Sequence, residues 1–232
     1  MKNKAVLIKL SVAVFFMTML FFVQGVIAKS DVETRESGDW KYTVISEEDK
    51  TAEIFSKGNV TGTVEIPENI DGYTVISIGD SAFASQIYLE GVTIPETVKK
   101  IGYRAFSYCT LLKCITLPKN LTSIGEEAFN YCNALGGSLV IPNTVTEIGK
   151  NAFKQCTALE NVILSVNLTA IPEGAFDKCS KIKTVSIPDK VTSLGEYAFK
   201  DCEALEDLYL SKNLNSYPLL LAKLSAVLPL SP

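Results

Sequence analysis

An alanine-phenylalanine pair recurs along the chain at an almost constant interval, and this interval limits the possible folds more than any other feature. The intervals between successive phenylalanines are 23, 23, 24, 23 and 23 residues. A period in the twenties, kept through six copies, is typical of a short-coil solenoid. The longer interval contains Gly136 and Gly137, which we interpret as one extra residue in a turn or bulge. The phenylalanines are Phe83, Phe106, Phe129, Phe153, Phe176 and Phe199.

Apolar residues within each repeat predict one strand with a buried inner side. In the repeat that begins at Cys109, Leu112, Ile115 and Leu117 are apolar, and the last two alternate with polar or small neighbours. A period of two is the pattern of a strand with one buried face. Proline follows in several repeats, as at Pro118, and ends the strand because it cannot donate to a ladder.

Two further apolar columns follow the proline. They hold Val98, Leu121, Val145, Leu168, Val191 and Leu214, and then Ile101, Ile124, Ile148, Ile171, Leu194 and Tyr217. A glycine comes next in four repeats, where the backbone needs either a positive φ or a close approach. We predict that the Ala-Phe pair then packs inward from a short helical turn. Because no coil buries its apolar side alone, stacked coils close the core together.

The repeated run IG-x-x-AF-x-x-C-x-x-L-x-x-V-x-I-P resembles the BspA-like leucine-rich repeats over roughly residues 60 to 216. We therefore predict an α/β-type leucine-rich repeat solenoid, mostly β, with about six coils of 23 residues. The expected solenoid is right-handed, with a parallel sheet on one face and short turns or 3-10 segments on the other. The resemblance implies a secreted or surface protein, typically bacterial, that adheres to or binds host proteins.

The two ends of the chain depart from the repeat. Residues 1–28 are predicted to be a secretory signal peptide cleaved after Ala28, because their apolar stretch is too short to span a membrane, which takes about 20 residues. We assign residues 29–37 to a flexible segment and 38–59 to an N-terminal cap with a hairpin. Residues 60–217 form the repeats, and 218–232 form an atypical tail. That tail is either an apolar cap over the last coil or the end of a truncated array.

Charge restricts the partners. Without the signal peptide the chain has 19 Lys and Arg against 26 Asp and Glu, a net charge of −7. Nucleic acids and anionic lipids both require a basic patch, so neither is an expected partner. No other segment is long enough to span a membrane. The mature protein is expected outside the cell or on its surface, with an extracellular or host-surface protein as its partner.

Residue types also restrict the chemistry. The chain contains no histidine, which excludes Ser-His-Asp and Cys-His sites and the usual zinc ligands. Among the outward strand positions only Asp207 is acidic. A hydrolase of extracellular polymers that works with paired carboxylates is therefore poorly supported. We predict no catalytic residue, no metal and no cofactor.

Cysteine forms a column of its own, three residues after each of five phenylalanines. One interpretation is a metal or redox ladder, but the C-x2-C pairs of zinc sites are absent. We favour a structural ladder of buried, reduced thiols that bond backbone carbonyls, because free cysteine is among the most buried residues. Cys114 lies at an outward strand position, where a partly exposed thiol is expected. The ladder consists of Cys109, Cys132, Cys156, Cys179 and Cys202.

The outward strand positions form two columns on one face. Val140, Ile163 and Tyr209 are predicted to form an apolar patch there, which is how interaction sites often look. Binding or adhesion through this face is our first hypothesis. The alternatives are a structural spacer with an inert face and, less favoured, the hydrolase. One column holds Gly91, Cys114, Ser138, Asn161, Thr184 and Asp207, and the other holds Thr93, Thr116, Val140, Ile163, Ser186 and Tyr209.

Overall fold

A computed structural model describes residues 33–56 and 58–215, which form strands and turns and no helix. These residues therefore include no helix that could cross a membrane. The predicted signal peptide, residues 29–32, Tyr217 and the predicted tail lie outside the described residues. The strands are β1 (Thr34–Ser37), β2 (Trp40–Ser46), β3 (Thr51–Ser56), β4 (Thr61–Glu65), β5 (Asn69–Ile70), β6 (Tyr73–Ile78), β7 (Tyr88–Thr93), β8 (Lys100–Ile101), β9 (Cys114–Ile115), β10 (Ser123–Ile124), β11 (Gly137–Val140), β12 (Glu147–Ile148), β13 (Leu159–Ile163), β14 (Ala170–Ile171), β15 (Thr184–Ser186), β16 (Ser193–Leu194) and β17 (Asp207–Tyr209).

Seven of these strands build the predicted parallel face, called here the strand face. β4, β7 and β9 pair in parallel, as do β11 with β13 and β15 with β17. The register advances by one repeat per strand, so that Val185 lies beside Leu208. The pairing of β11 with β13 shifts register between Gly137 and Ser138. The residue left unpaired is Glu160 of β13, and β7 has the same bulge at Glu90 opposite β4. This bulge therefore does not mark the extra residue of the third repeat.

A second parallel ladder runs along another side of the coils, in addition to the sheet that the sequence predicts. It joins β6, β8, β10 and β12 and, further along the chain, β14 and β16. From β8 onward, each of its strands has only two residues. The second residue of each short strand is buried, which places the isoleucine column in the core. Those residues are Ile101, Ile124, Ile148, Ile171 and Leu194.

The Ala-Phe segment on the third side is a non-helical turn, so the short helical turn predicted for it is wrong. Each turn contains residues in the left-handed region, such as Arg104 at φ 52° and Tyr108 at φ 62°, which interrupt a helical path. Their N–H groups donate to the next coil: Arg104 to Glu126 O at 2.9 Å and Tyr108 to Asn130 O at 2.8 Å. The turn keeps short bonds within a coil, such as Ser107 N–H to Arg104 O at 3.0 Å, and adds bonds between coils in place of a continuous helical ladder.

The phenylalanine column forms one continuous stack through the core. Ring centroids are 5.0 Å apart for Phe83 and Phe106 and 5.5 Å apart for Phe176 and Phe199. Interplanar angles stay at or below 5° throughout the stack. The five rings from Phe83 to Phe176 are completely buried, so each ring contributes its full apolar area to holding two coils together.

The repeated glycine serves close approach rather than a positive φ. Gly102, Gly125, Gly149 and Gly195 lack the left-handed φ that would require glycine. A Cβ placed on Gly149 would instead lie 2.2 Å from the backbone nitrogen of Glu126 in the preceding coil. Adjacent coils therefore approach each other most closely where the side chain is smallest.

An antiparallel sheet covers the first coil. β1 pairs with β2 and β2 with β3, while β3 continues in parallel onto β6. The edge of the Trp40 ring contacts Phe83, with centroids 6.1 Å apart, and so covers the first ring of the stack. We predicted a flexible segment over 29–37, but residues 34–37 form β1. They are ordered because they pair with β2 and because Arg35 binds Tyr73 and Glu47.

The insertion in the first coil holds this cap in place. Asp71 and Gly72 form the tight turn between β5 and β6, with φ values of 47° and 83°. Asp-Gly favours such turns because both central residues need a positive φ. The Asp71 carboxylate accepts hydrogen bonds from Ser37 Oγ at 2.9 Å and from Tyr42 OH at 3.0 Å. The extra loop predicted around Asp71 thus bonds the first coil to β1 and β2.

Candidate binding surface

The predicted outward column that holds Val140, Ile163 and Tyr209 lies on the strand face with all of its side chains exposed. Parallel pairing sets Val140 beside Ile163 and Ser186 beside Tyr209. Val140 is 54% exposed, Ile163 58% and Tyr209 50%. The remaining members, Thr93, Thr116 and Ser186, are small and polar. The column is therefore a polar strip that contains three large apolar side chains.

These three apolar side chains do not form one continuous patch. Val140 and Ile163 are register partners, whereas Ser186 lies between Ile163 and Tyr209 along the column. The structure thus brings together the aliphatic pair and leaves Tyr209 apart from it. Val166, 53% exposed, follows Ile163 beyond the end of β13. The strongest apolar feature of the strand face is therefore centred on Val140 and Ile163.

The second predicted column is smaller and more polar. Gly91 pairs with Cys114, Ser138 with Asn161, and Thr184 with Asp207. The Cys114 side chain is an exposed free thiol. Asn161 Nδ2 donates to Ser138 Oγ across two strands at 3.4 Å. This column gives the apolar pair a neighbouring row of short side chains, which leaves room for a partner to approach.

A charged column, absent from our sequence prediction, completes the face. Its residues are exposed and alternate in sign along the solenoid, with glycine in the third coil. Lys113 Nζ lies 2.6 Å from the Glu90 carboxylate, an exposed ion pair of modest energy. The signal was present in the sequence, since charged residues occupy this position in five of the six repeats. They are Glu90, Lys113, Glu160, Lys183 and Glu206.

A comparison with protein families matches the repeated part of the chain. A profile described as "BspA type Leucine rich repeat region (6 copies)" matches residues 51–137 and 135–219. The chain belongs to the BspA-type leucine-rich repeat family. A search of curated proteins finds no match.

Solved structures similar to this BspA-type chain are bacterial leucine-rich repeat proteins. A leucine rich cell surface protein from Faecalibacterium prausnitzii is 31% identical, with a TM-score of 0.64, and the match covers 82% of this chain and 57% of that one. A leucine-rich repeat protein from Bacteroides ovatus is 30% identical, with a TM-score of 0.62 and coverage of 78% and 54%. The chain spans little more than half the length of these two proteins.

The T. pallidum Leucine Rich Repeat protein is also similar, at 24% identity and a TM-score of 0.63, and covers 84% of this chain and 96% of that one. This likeness concerns the fold. It shows the same solenoid fold in a protein of comparable length.

Within this BspA-type solenoid, the cysteine ladder is part of the core. Each Sγ–H donates to the carbonyl of the phenylalanine one coil earlier, from Cys109 to Phe83 O at 3.1 Å through Cys202 to Phe176 O at 3.2 Å. All six cysteines are free, and the five of the ladder are buried. Burial raises the pKa of Cys109 and Cys202 to about 12, and that of the three between them well above the usual value.

These thiols are poor candidates for chemistry. A raised pKa keeps each of them protonated near neutral pH, whereas nucleophilic attack and metal binding use the thiolate. Within residues 33–56 and 58–215, no group of three His, Cys, Asp or Glu side chains is placed to hold a metal ion. The ladder therefore binds one coil to the next.

Proposed function

We propose that this BspA-type chain is secreted or displayed at the cell surface, where it binds an extracellular or host-surface protein through the strand face without catalysis. The observation that carries the proposal is the Val140–Ile163 pair, two adjacent aliphatic side chains that are each more than half exposed. An apolar centre within polar surroundings is the usual anatomy of a protein interface.

The surroundings of this pair favour a protein over a polyanion. The charged column alternates in sign, so the strand face offers no continuous basic surface to a nucleic acid or an anionic membrane. The location is supported by the predicted signal peptide and by the similar F. prausnitzii cell surface protein. The absence of catalysis is supported by the lack of histidine, which removes the common nucleophile and base arrangements.

Binding can be tested with the secreted chain immobilised against purified extracellular-matrix and host-surface proteins. For any protein that binds, the Val140→Asp/Ile163→Asp variant should weaken binding by about tenfold or more, because it places two charges in the desolvated centre. Tyr209→Asp should weaken it less, since Ser186 separates Tyr209 from the pair.

The matched control is Ile45→Asp, because Ile45 is 52% exposed on β2 in the cap, outside the strand face. It should bind like the wild type, and all variants should keep the wild-type unfolding midpoint. Equal binding by the wild type and the Val140→Asp/Ile163→Asp variant would refute the assignment of the site. Failure of the whole panel to bind would instead favour the spacer.

A further inference from the structure

A second surface carries large exposed side chains that the strand face does not explain. We number the coils by their phenylalanines, with Phe83 in coil 1 and Phe153 in coil 4. The turn face consists of the outward side chains from the Ala-Phe turn to the start of the strand in each coil. After their phenylalanines, coils 1 and 2 expose four large apolar groups on this face, each between 42% and 60% exposed. They are Ile87, Tyr88, Tyr108 and Leu111.

One column of the turn face changes size in the middle. Tyr88 in coil 1 and Leu111 in coil 2 are followed by Ala134 in coil 3 and Ala158 in coil 4. Backbone bonds from Lys113 N–H to Glu90 O and from Gly136 N–H to Lys113 O, both 3.0 Å, keep the coils in register here. The column therefore protrudes in coils 1 and 2 and is recessed in coils 3 and 4. A second copy in the opposite orientation would place each large side chain opposite a small one.

The charges of the turn face are also complementary to those of a second, antiparallel copy. Arg104 in coil 2 and Glu127 in coil 3 occupy one column, and within the chain they form an ion pair of 2.6 Å. When a second copy lies antiparallel against this column, Arg104 of one copy faces Glu127 of the other. Size and charge thus indicate the same centre of symmetry, between coils 2 and 3.

The aromatic residues at this centre favour a protein partner over a sugar. Tyr108 and Tyr131 stack with centroids 4.5 Å apart and rings 8° from parallel, so each covers one face of the other. A sugar needs an open aromatic face, and the aliphatic Ile87 and Leu111 provide none. Tyr88 is aromatic and 60% exposed, but it lies in coil 1, at one end of the patch. In an antiparallel pair of chains, Tyr108 of one copy lies opposite Tyr131 of the other, where ring edges and hydroxyl groups can meet.

We propose that two copies of this chain pair through the turn faces of coils 1 to 4, with their solenoid axes antiparallel. The two-fold axis lies in the interface, perpendicular to the solenoids and between coils 2 and 3. In this arrangement Tyr88 of one copy lies against Ala158 of the other, and Leu111 against Ala134. A contact in which the same patch serves both subunits is the common form of a homodimer.

The dimer leaves both strand faces uncovered. The two faces can bind two sites on one surface, which raises avidity without adding a contact. The four exposed side chains offer roughly 400 Å² per copy, since large side chains bury about 150–250 Å² each when fully covered. Doubled over two copies, this area is about 800 Å², below the roughly 1,200 Å² at which stable specific interfaces begin. The proposed dimer is therefore weak, and the test covers micromolar concentrations.

The test exchanges side-chain sizes across the proposed axis. The secreted chain is studied by sedimentation velocity between about 1 and 300 μM, a range that brackets a micromolar Kd. Ala134→Leu fills the depression opposite Leu111 and should raise the dimer Kd about tenfold. Adding Leu111→Ala to that variant restores a large residue opposite a small one, and should return the Kd to within about twofold of the wild type.

Ala204→Leu is the matched control, because Ala204 occupies the same column in coil 6, outside the proposed contact, with similar half-burial. It should dimerise like the wild type, and circular dichroism should show the wild-type fold in every variant. A charge exchange gives an independent reading: Arg104→Glu should weaken the dimer, and adding Glu127→Arg should restore it.

Several outcomes would overturn the proposal. A wild-type chain that stays monomeric over the whole range excludes the dimer. Unchanged or tighter association of Ala134→Leu indicates non-specific apolar contact, and failure of the double variants to recover excludes this register. Binding of defined oligosaccharides that is lost in Tyr108→Ser, without dimer formation, would assign the turn face to sugars instead.

Discussion

The buried thiols should make the solenoid unusually sensitive to alkaline pH. Burial raises the pKa of Cys109 and Cys202 to about 12 and that of the other three ladder cysteines well above the usual value. In the unfolded chain the same thiols are exposed to water and ionise with a pKa of about 8.5. Above that pH the unfolded state releases protons that the folded state keeps.

The sign and size of the effect follow from proton linkage. A group whose folded pKa is raised contributes stability that is complete below its unfolded pKa and is lost as the pH rises toward its folded pKa. At about pH 9.5 each thiol favours unfolding by about 1.4 kcal/mol, so the five together reduce the free energy of unfolding by about 7 kcal/mol. An ordinary domain has only about 5–15 kcal/mol in total.

The assay is urea unfolding in the presence of a reductant, at about pH 7.5 and about pH 9.5, for the wild type and for Cys156→Ala. The substitution should cost about 1–2 kcal/mol at the lower pH from lost packing and hydrogen bonding. Between the two pH values, however, the variant should lose about 1.4 kcal/mol less than the wild type, because one thiol fewer titrates. Tyrosine and lysine titrate in both proteins, so their contribution cancels.

Cys114→Ala is the control, since Cys114 is an exposed free thiol. It should leave the pH dependence of unfolding unchanged. Thiol titration gives a second reading: the native protein should react at Cys114 alone, and the denatured protein at all six cysteines. If Cys156→Ala loses as much stability between the two pH values as the wild type, the ladder does not act through ionisation and the reasoning fails.

Two further substitutions test how adjacent coils are held together. Gly149→Ala should destabilise the chain by about 1–3 kcal/mol in urea unfolding, because its Cβ would lie 2.2 Å from the Glu126 nitrogen. Gly91→Ala, whose Cβ would lie 3.3 Å from its nearest neighbour, should cost less, and equal costs would contradict the close-approach role. Asn167→Ala should cost about 1 kcal/mol, because the Asn167 amide donates to Asn143 O at 2.8 Å. The exposed Asn161→Ala should be nearly neutral, and a cost as large as that of Asn167→Ala would show that the carbonyl bond is not the cause.

The repeated core was predictable because each of its positions has a side-chain signature. Phe129, Cys132 and Leu135 recur in register, so their burial can be read from the spacing alone. The second ladder and the turns are set instead by backbone N–H groups that donate between coils, as Tyr108 does to Asn130. Backbone bonds of this kind leave little trace in residue type, which is why a helical turn was predicted where the structure has none.

The sequence predicted which residues of the candidate surface point outward, but not whether its apolar residues are neighbours. The period of two identified Val140, Ile163 and Tyr209 as outward, and all three are exposed. It did not identify the charged column, because Leu112 and Ile115 are three residues apart and both Lys113 and Cys114 face the solvent between them. A strict alternation assigns only one of two such residues to the surface, so the sequence analysis missed the other.

The stacked core also limits which positions of this chain could carry a recognition site. Phe106, Phe129 and their counterparts can stack only if every coil keeps the same residue, so the inner columns cannot distinguish one coil from another. The hydrogen bonds that join the coils come largely from the backbone. They form whichever side chain occupies an outer position. Coils can therefore differ at these positions, as Val140 differs from Thr116 and Leu111 from Ala134, without loss of stacking energy. The contacts proposed for the strand face and for the turn face both depend on these outer columns.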